Sequence, residues 1–563
     1  MRQPVPSPCY NAEMSDISKP PMTLYEAFDS ARQRAGGLPF LAESAISGGH
    51  EWTFAQAGTE IDRLALLYGG KGWGVGHRIA LAVGNHPRHF FHFIALNRLG
   101  ASIVPLNPDH RGAEIRHALR LAEVDAIVAK HDRHQAVAQA IATDDVLSQR
   151  PNIPLEQLEQ MLPAAPRPAL EAGNPLYREA AILFTSGTSG QPKGCILTNE
   201  YVLTAGAWYR DLGGLLTLRN ASERVFNPLP VFHMNCGMTT IATMCLTDNC
   251  LVLPDRFHVS TWWEDCVKSE ATGIHYLGIM PPALIKQDLG PWEAKHQVRF
   301  GLGAGCDPTL HPAFEKRFGF PLVEVWGMTE TGRFLTNQHE PRMTHTRAFG
   351  RAATPIKVRV VDDHDQNVGL DAPGELLVCA EGDNPRQGFF SGYLNDEDAT
   401  QTAWRGGWFH TGDVVTQDSS GMLYFVDRRK DMIRRSGENI SAGEVEAALA
   451  AHPAVARVVV MAVPDEMRDE EVLAVVVPSV GYAANVATAQ DLVTFCLGEL
   501  AYYKAPAWVA FFEELPATAT NKVQKNRIFA PGADPRLQAF DCRPLKKRPS
   551  ADHQQSSVAS PPK

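Results

Sequence analysis

The chain has 563 residues, 44% apolar and 21% charged, with a formal net charge of −10. Such values describe a globular protein of more than one domain with ample core, and the acidic balance excludes a general nucleic-acid or anionic-membrane surface. No apolar stretch approaches the roughly 20 residues that span a bilayer, and ten scattered cysteines contain no Cys-x-x-Cys pair, so reduced thiols in a cytoplasm are expected.

Residues 1–21 are polar and Pro-rich, carry no apolar signal core, and read as a disordered N-terminus. A helical pattern begins near Thr23-Leu24-Tyr25. Ile79 to Val83 then reads as a strand, Phe90 to Leu99 as a helix stopped by Gly100, Ser102 to Leu106 as a strand, and Ala113 to Ala122 as a helix before Ala126-Ile127-Val128. That alternation predicts stacked βαβ units. Residues 150–176 are Pro-rich and read as a surface connection.

The apolar run Ala180 to Phe184 reads as a buried strand. It breaks into Thr185, Ser186, Gly187, Thr188, Ser189 and Gly190, ending in Lys193. Such a loop is either a flexible turn or a phosphate cradle of hydroxyls, close backbone N–H groups and one mobile cation. It is not a Walker A loop, because Gly-Lys-Ser/Thr is missing. Phe232-His233-Met234 follows a Pro-Leu-Pro segment, and a lone His there can equally be a satisfied core residue. Small residues Gly303, Ala304 and Gly305 after a strand form either a tight turn or a place where a flat ring approaches the backbone. Val325-Trp326-Gly327-Met328-Thr329-Glu330 comes next, then Trp408-Phe409-His410-Thr411-Gly412-Asp413, then Asp427-Arg428-Arg429-Lys430, and last Thr518-Ala519-Thr520-Asn521-Lys522.

In this order the motifs resemble those of the ANL superfamily of adenylate-forming enzymes, which comprises acyl-CoA synthetases, peptide-synthetase adenylation domains and luciferases. The resemblance covers roughly residues 25–530. It implies an α/β fold, with a large N-terminal domain of stacked βαβ layers (22–427), a small mobile α+β domain (428–530) and a disordered tail (531–563). In that C-terminal domain Ala507 to Phe512 is expected as the final strand. The motifs Phe425 to Arg429, Gly437 to Ser441, Ala451-His452-Pro453 and Met467 to Glu470 look most like crotonobetaine/carnitine-CoA ligases and neighbouring acyl-CoA ligases.

The resemblance also implies roles. The 185–193 loop holds the β,γ-phosphates of ATP. Trp326, where most members have Tyr, stacks on adenine near Gly303–Gly305, Thr329 touches the α-phosphate, and Glu330 holds Mg²⁺, a cation that prefers hard oxygen ligands. Asp413 accepts both ribose hydroxyls, and Arg428 reaches the ribose or phosphate. Lys430 is the hinge, Lys522 the catalytic lysine with Lys525 as a second claimant, and Gly437 borders the pantetheine tunnel of coenzyme A. His233 and Met234 wall the acyl pocket. Arg333 either faces that pocket, favouring an acid with a second anionic or carbonyl group, or points outward to pair with Glu340.

The reaction implied is attack of a small-molecule carboxylic acid on ATP, giving an acyl-adenylate that CoA thiolate then converts to a thioester. Transfer to a carrier-protein phosphopantetheine, luciferase-like oxidation and a catalytically lapsed nucleotide-binding protein are the alternatives. No nucleic acid and no membrane span are expected, and a homodimer is an open assembly state.

Overall fold

In a computed structural model the described residues are 20–108, 110, 112–185, 192–428, 432–435, 438–465, 468–500, 502–517 and 523–546. The expected N-terminal disorder lies almost wholly outside them, as does the tail beyond Lys546.

Two largely parallel sheets dominate the first 350 residues. One has seven strands, with Ser102–Pro105, Arg78–Ala82 and Ala126–Ala129 at its centre. These strands are continuous apolar runs because helices cover both faces of the sheet. The antiparallel pair Glu179–Thr185 and Lys193–Thr198 extends this sheet beyond Ser102–Pro105. The other sheet has eight strands, among them Gly273–Leu277, Phe300–Ala304 and Leu322–Trp326 in parallel.

The main core is shared by both sheets and by the helices Leu24–Ala35, Phe54–Gly70, Pro87–Leu99 and Asn199–Asp211. Thr53 and Gln56 close a capping box at the start of Phe54–Gly70, which satisfies donors the first turn would leave orphaned. Pro87–Leu99 is buried on nearly every face, as expected of a helix held between layers.

A five-stranded antiparallel sheet follows, ending in Phe409–Gln417 and Leu423–Arg428. The C-terminal sheet begins at Met432–Arg435 and has its own core of Ile433, Val445, Val472, Leu492 and neighbours.

The tail expectation needs correction here. Trp508–Phe511 is not the last strand, because Phe540–Asp541 pairs antiparallel with it. Cys542 is buried behind that pair, and its N–H donates to the Ala507 carbonyl at 2.8 Å. Residues 535–546 are therefore part of the small domain. The Pro-rich composition masked three docking side chains, Phe540, Cys542 and Lys546.

Candidate active site

The strands Gly273–Leu277, Phe300–Ala304 and Leu322–Trp326 run in the same direction, so their carboxyl ends lie along one edge. That edge is where open α/β sheets bind ligands. Gly303 is required there for a reason other than ligand approach: a Cβ on it would stand 2.2 Å from the Tyr276 carbonyl oxygen of the neighbouring strand. Gly305 has φ +83°, and its N–H donates to Glu324 at 2.8 Å. Ala304 closes the strand between them.

Trp326 ends its strand and is almost fully buried, 6.1 Å from the Phe349 ring. Its indole N–H donates to Asp413 Oδ2 at 2.8 Å. Asp413 is buried in the third sheet and lies opposite Arg428 in register. The structure thus joins two motifs 87 residues apart through a bond that neither motif announced.

At the hairpin of the seven-stranded sheet, Thr185 pairs with Lys193. Ser186, Gly187, Thr188, Ser189 and Gly190 lie outside the described residues. Lys193 Nζ lies 3.0 Å from Asp396 Oδ2 and 4.9 Å from the centre of the Tyr393 ring. Tyr393 donates its hydroxyl to Glu330 Oε1 at 2.9 Å. Burial first, then the charge of Glu330, push the phenol well above its ordinary pKa, so it stays a donor. Cation, ring and buried carboxylate form one row at the mouth of the loop. Tyr393 stands 63 residues from Glu330, and no local pattern marks it.

Thr329 is tied through its carbonyl, which accepts the Tyr201 hydroxyl at 2.7 Å. The same hydroxyl lies 3.8 Å from Met234 Sδ, so Tyr201 links the Thr329–Glu330 turn to the expected acyl wall. His233 packs against the Phe232 ring, 4.7 Å between centres. Burial, and secondarily the charge of His110, hold its pKa at about 4, so it is neutral at physiological pH.

The chain after Met234 forms a π-helical turn, Asn235–Thr240, a form concentrated at functional sites. A buried network fixes it. Asn227 Nδ2 donates to Asn235 Oδ1 at 3.0 Å and Thr240 Oγ1 at 3.1 Å, and His275 Nδ1 donates to the same Asn235 Oδ1 at 2.7 Å. His275 Nε2 meets the Tyr209 hydroxyl at 2.9 Å. Asn85 pins the preceding loop by donating to the Leu229 carbonyl and accepting from Val231 N–H. Sequence reasoning missed Asn85, Asn227 and Tyr201, whose polar side chains carry no motif of their own.

Arg333 does not point outward. It is 6% exposed, donates from Nη2 to the Gln387 carbonyl at 2.8 Å, and lies over the Phe389 ring. Its Nη1 has no hydrogen-bond partner among the described residues. Burial brings its pKa down to about 10. Glu340 pairs with Arg342 instead. Its contacts lie toward the 387–389 segment, with the charge of Glu200 at the start of Asn199–Asp211 nearby.

Lys430, Gly437 and Lys522 lie outside the described residues, and only the backbone of Arg428 is described. Their surroundings are informative. Asp427 accepts from Ser441 Oγ at 2.7 Å and Gly443 N–H at 3.0 Å, a link from the third sheet to the small domain. Lys525 donates to the Val460 carbonyl at 2.7 Å and lies 3.2 Å from Glu446, so it is engaged within its own domain. Arg527 pairs with Glu114 at 2.8 Å. Glu114 lies on the helix Gly112–Leu121, whose His117 meets the Pro192 carbonyl at 2.9 Å. Arg527 is thereby held to the helix that also meets the chain at Pro192.

Glu330 fits Mg²⁺: it is a buried hard-oxygen ligand bonded to Tyr393, whose ring lies under the Lys193 cation. Cys306, His311 and Glu324 also lie within 4.8 Å of one another. Glu324 there accepts from Tyr276, Gly305 and Cys306, while His311 Nε2 meets Glu315 and Leu322. These bonds account for that cluster as a packed polar network.

The AMP-binding enzyme family model matches residues 28–394, and the model of the AMP-binding enzyme C-terminal domain matches 444–522. Crotonobetaine/carnitine–CoA ligase of Proteus mirabilis (strain HI4320) is 30% identical over 507 residues, covering 86% of this chain and 94% of that protein. The Citrobacter koseri ligase of the same name is 29% identical over 518 residues, covering 89% and 97%. Among solved structures, o-succinylbenzoate CoA synthetase from Bacillus subtilis with its acyl-adenylate intermediate aligns with a TM-score of 0.75 at 24% identity, covering 90% and 98%. That last likeness is one of fold.

With both family models matched, the chain belongs to the AMP-binding enzyme family. Within it, the chain is an ATP-dependent carboxylate–CoA ligase that forms an acyl-adenylate and then an acyl-CoA thioester, using ATP, Mg²⁺ and CoA.

Proposed function

We propose that the row Lys193–Tyr393–Glu330 and the pair Trp326–Asp413 hold the two ends of one nucleotide. The observation that carries this reading is the pair of bonds Tyr393–Glu330 and Trp326–Asp413, both made by the segment that leaves the carboxyl end of Leu322–Trp326, one toward the Lys193 hairpin and one toward the third sheet. Thr185, Lys193 and the 186–190 loop take the β,γ-phosphates. Glu330 would hold Mg²⁺, which when bound neutralises charge on the phosphates. Asp413 and Arg428 take the ribose, and the Trp326 ring takes the adenine. Thr329, fixed by Tyr201, presents its hydroxyl to the α-phosphate.

Two anions must meet for the acid to attack phosphorus, so fixed positive charge is the main requirement. Lys522 supplies it in this reading, and the engagement of Lys525 by Val460 and Glu446 supports Lys522 over Lys525. Met234, Phe232 and His233 wall the acid pocket, with neutral His233 contributing shape rather than charge. Lys430 is the hinge about which the small domain turns before CoA enters past Gly437. The same proposal places the enzyme in a reducing cytoplasm, supported by nine buried thiols among the described residues.

The test is Lys522→Ala. Adenylation, followed by acid-dependent pyrophosphate release, should fall on the order of 10²–10³-fold, the scale of one lost electrostatic stabiliser. Thioester formation from supplied acyl-adenylate should change far less. Equal loss in both steps would make Lys522 structural.

A further inference from the structure

Beyond residue 522, where the C-terminal family model stops, the chain continues as a strap across the small domain. Arg536 donates to the Pro464 carbonyl at 2.8 Å. Phe540–Asp541 adds an edge strand to Trp508–Phe511. Arg543 stacks on the Trp508 ring at 4.5 Å and pairs with Asp541. The described strap ends at Lys546, which turns inward.

Lys546 is a buried cation, with 2% of its side chain exposed. Its Nζ donates to Glu471 Oε2 at 2.7 Å and to the Tyr503 carbonyl at 3.2 Å. Glu471, 1% exposed, accepts from Arg435 Nε through its other oxygen at 2.7 Å. Arg468 stands 3.7 Å from that same oxygen. Burial draws the Lys546 pKa down to about 8 while Glu471 opposes the fall.

The far end of this chain of charges is what gives it a use. Arg435 is the last residue of Met432–Arg435 and pairs in register with Glu438, the first residue of Glu438–Ser441. It also pairs with Asp469 at the start of the long strand Asp469–Pro478. Residues 436 and 437 connect the register partners Arg435 and Glu438. A buried ion cluster is a poor source of stability, since well-packed apolar residues often do as well or better. Its particular contribution is to fix groups in place, and the group fixed here is the residue next to the 436–437 connection.

We propose that Lys546 is a positioning residue for the CoA half-reaction, acting through Glu471 and Arg435 on the strand ends that flank Gly437. The inference rests on the reading of Gly437 as the pantetheine border. The strap thereby couples the carboxyl end of the chain to thiol entry and leaves nucleotide chemistry to the large domain.

The experiment compares full-length wild type with Lys546→Met, Lys546→Arg and Arg543→Ala. Acid-dependent pyrophosphate exchange reports adenylation, and steady-state thioester formation reports KM and kcat for CoA. Lys546→Met should raise KM for CoA about tenfold and leave exchange within twofold. Lys546→Arg should restore most of the affinity. Arg543→Ala loosens the strap without touching Glu471 and should leave both readouts near wild type. If Lys546→Met does not fold, Lys546→Gln keeps a neutral donor of similar length and carries the same expectations.

The proposal is overturned if Lys546→Met or Lys546→Gln lowers exchange and thioester formation alike, or changes neither. It is also overturned if Arg543→Ala reproduces the rise in KM, because the strap would then act only as scaffolding. A wild type with normal exchange and no CoA-dependent product would instead overturn the CoA reading itself.

Discussion

Trp326→Phe separates stacking from hydrogen bonding at the nucleoside end of the site. Phenylalanine keeps a flat ring but removes the indole N–H that reaches Asp413 Oδ2 at 2.8 Å. Asp413 is 2% exposed, so water cannot readily replace that donor. A hydrogen bond to a charged group contributes roughly 1.5–3 kcal/mol. At about 1.4 kcal/mol per tenfold, the full loss corresponds to roughly 10–100-fold in nucleotide affinity.

The loss falls on binding that is the same before and at the transition state, so KM for ATP should rise at least tenfold with kcat little changed. ATP and 2′-deoxyATP, each with wild type and Trp326→Phe, form a cycle. If Trp326 orients the carboxylate for the ribose diol, the two losses will not add. An unchanged KM for ATP, or strictly additive losses, would refute the reasoning and leave Trp326 as a stacking surface alone.

Tyr393→Phe keeps the ring beneath Lys193 and removes only the hydroxyl that Glu330 accepts; about tenfold more Mg²⁺ should be needed for half-maximal adenylation, from roughly 1.5 kcal/mol of lost bonding, and an unchanged Mg²⁺ titration would show that Glu330 is placed without Tyr393. Arg333→Leu should lower Tm without altering relative rates on a plain fatty or aryl acid, a dicarboxylic or keto acid, and carnitine, because the guanidinium contacts Gln387 and Phe389. Selective loss on the dicarboxylic or keto acid would return Arg333 to the pocket. His233, held at about 4, takes up its proton more readily unfolded, so it subtracts stability as pH falls from about 6.5 toward 4. His233→Gln should flatten that part of the stability curve, and identical curves would assign the acid loss elsewhere.

What the sequence disclosed follows from where each signal resides. Ile79, Ile103 and Ile127 sit in short apolar runs because their strands are covered on both faces, and such runs are visible without any alignment. The 185–193 loop, Trp326–Glu330 and Asp413 stand out as motifs because each combines residue types that one ligand would demand within a few positions. Tyr201, Tyr393 and Asn85 act by reaching across the fold, and nothing beside them in the chain records the residue they meet. Arg333 left two readings open, pocket or surface, because a guanidinium suits either; a carbonyl and an aromatic face receive it instead. The strap misled through its average composition, although single residues at 540, 542 and 546 dock it.

The link from Asp427 to Ser441 and Gly443 has a consequence for how long the small domain rests in one place. If Lys430 is the hinge, as proposed, a swing about it would pull this carboxylate away from both groups. Two bonds to a carboxylate, together about 3 kcal/mol or more before water competes for them, behave as a detent. In the hinge reading they would set a dwell time instead of blocking motion. A bias of roughly 3 kcal/mol leaves the rotated orientation below about 1% of the resting ensemble, so thiol encounters before adenylation would mostly be fruitless. The order of events would then be kept by a population, which labels across the two domains would report as one dominant distance in the resting enzyme and two during turnover.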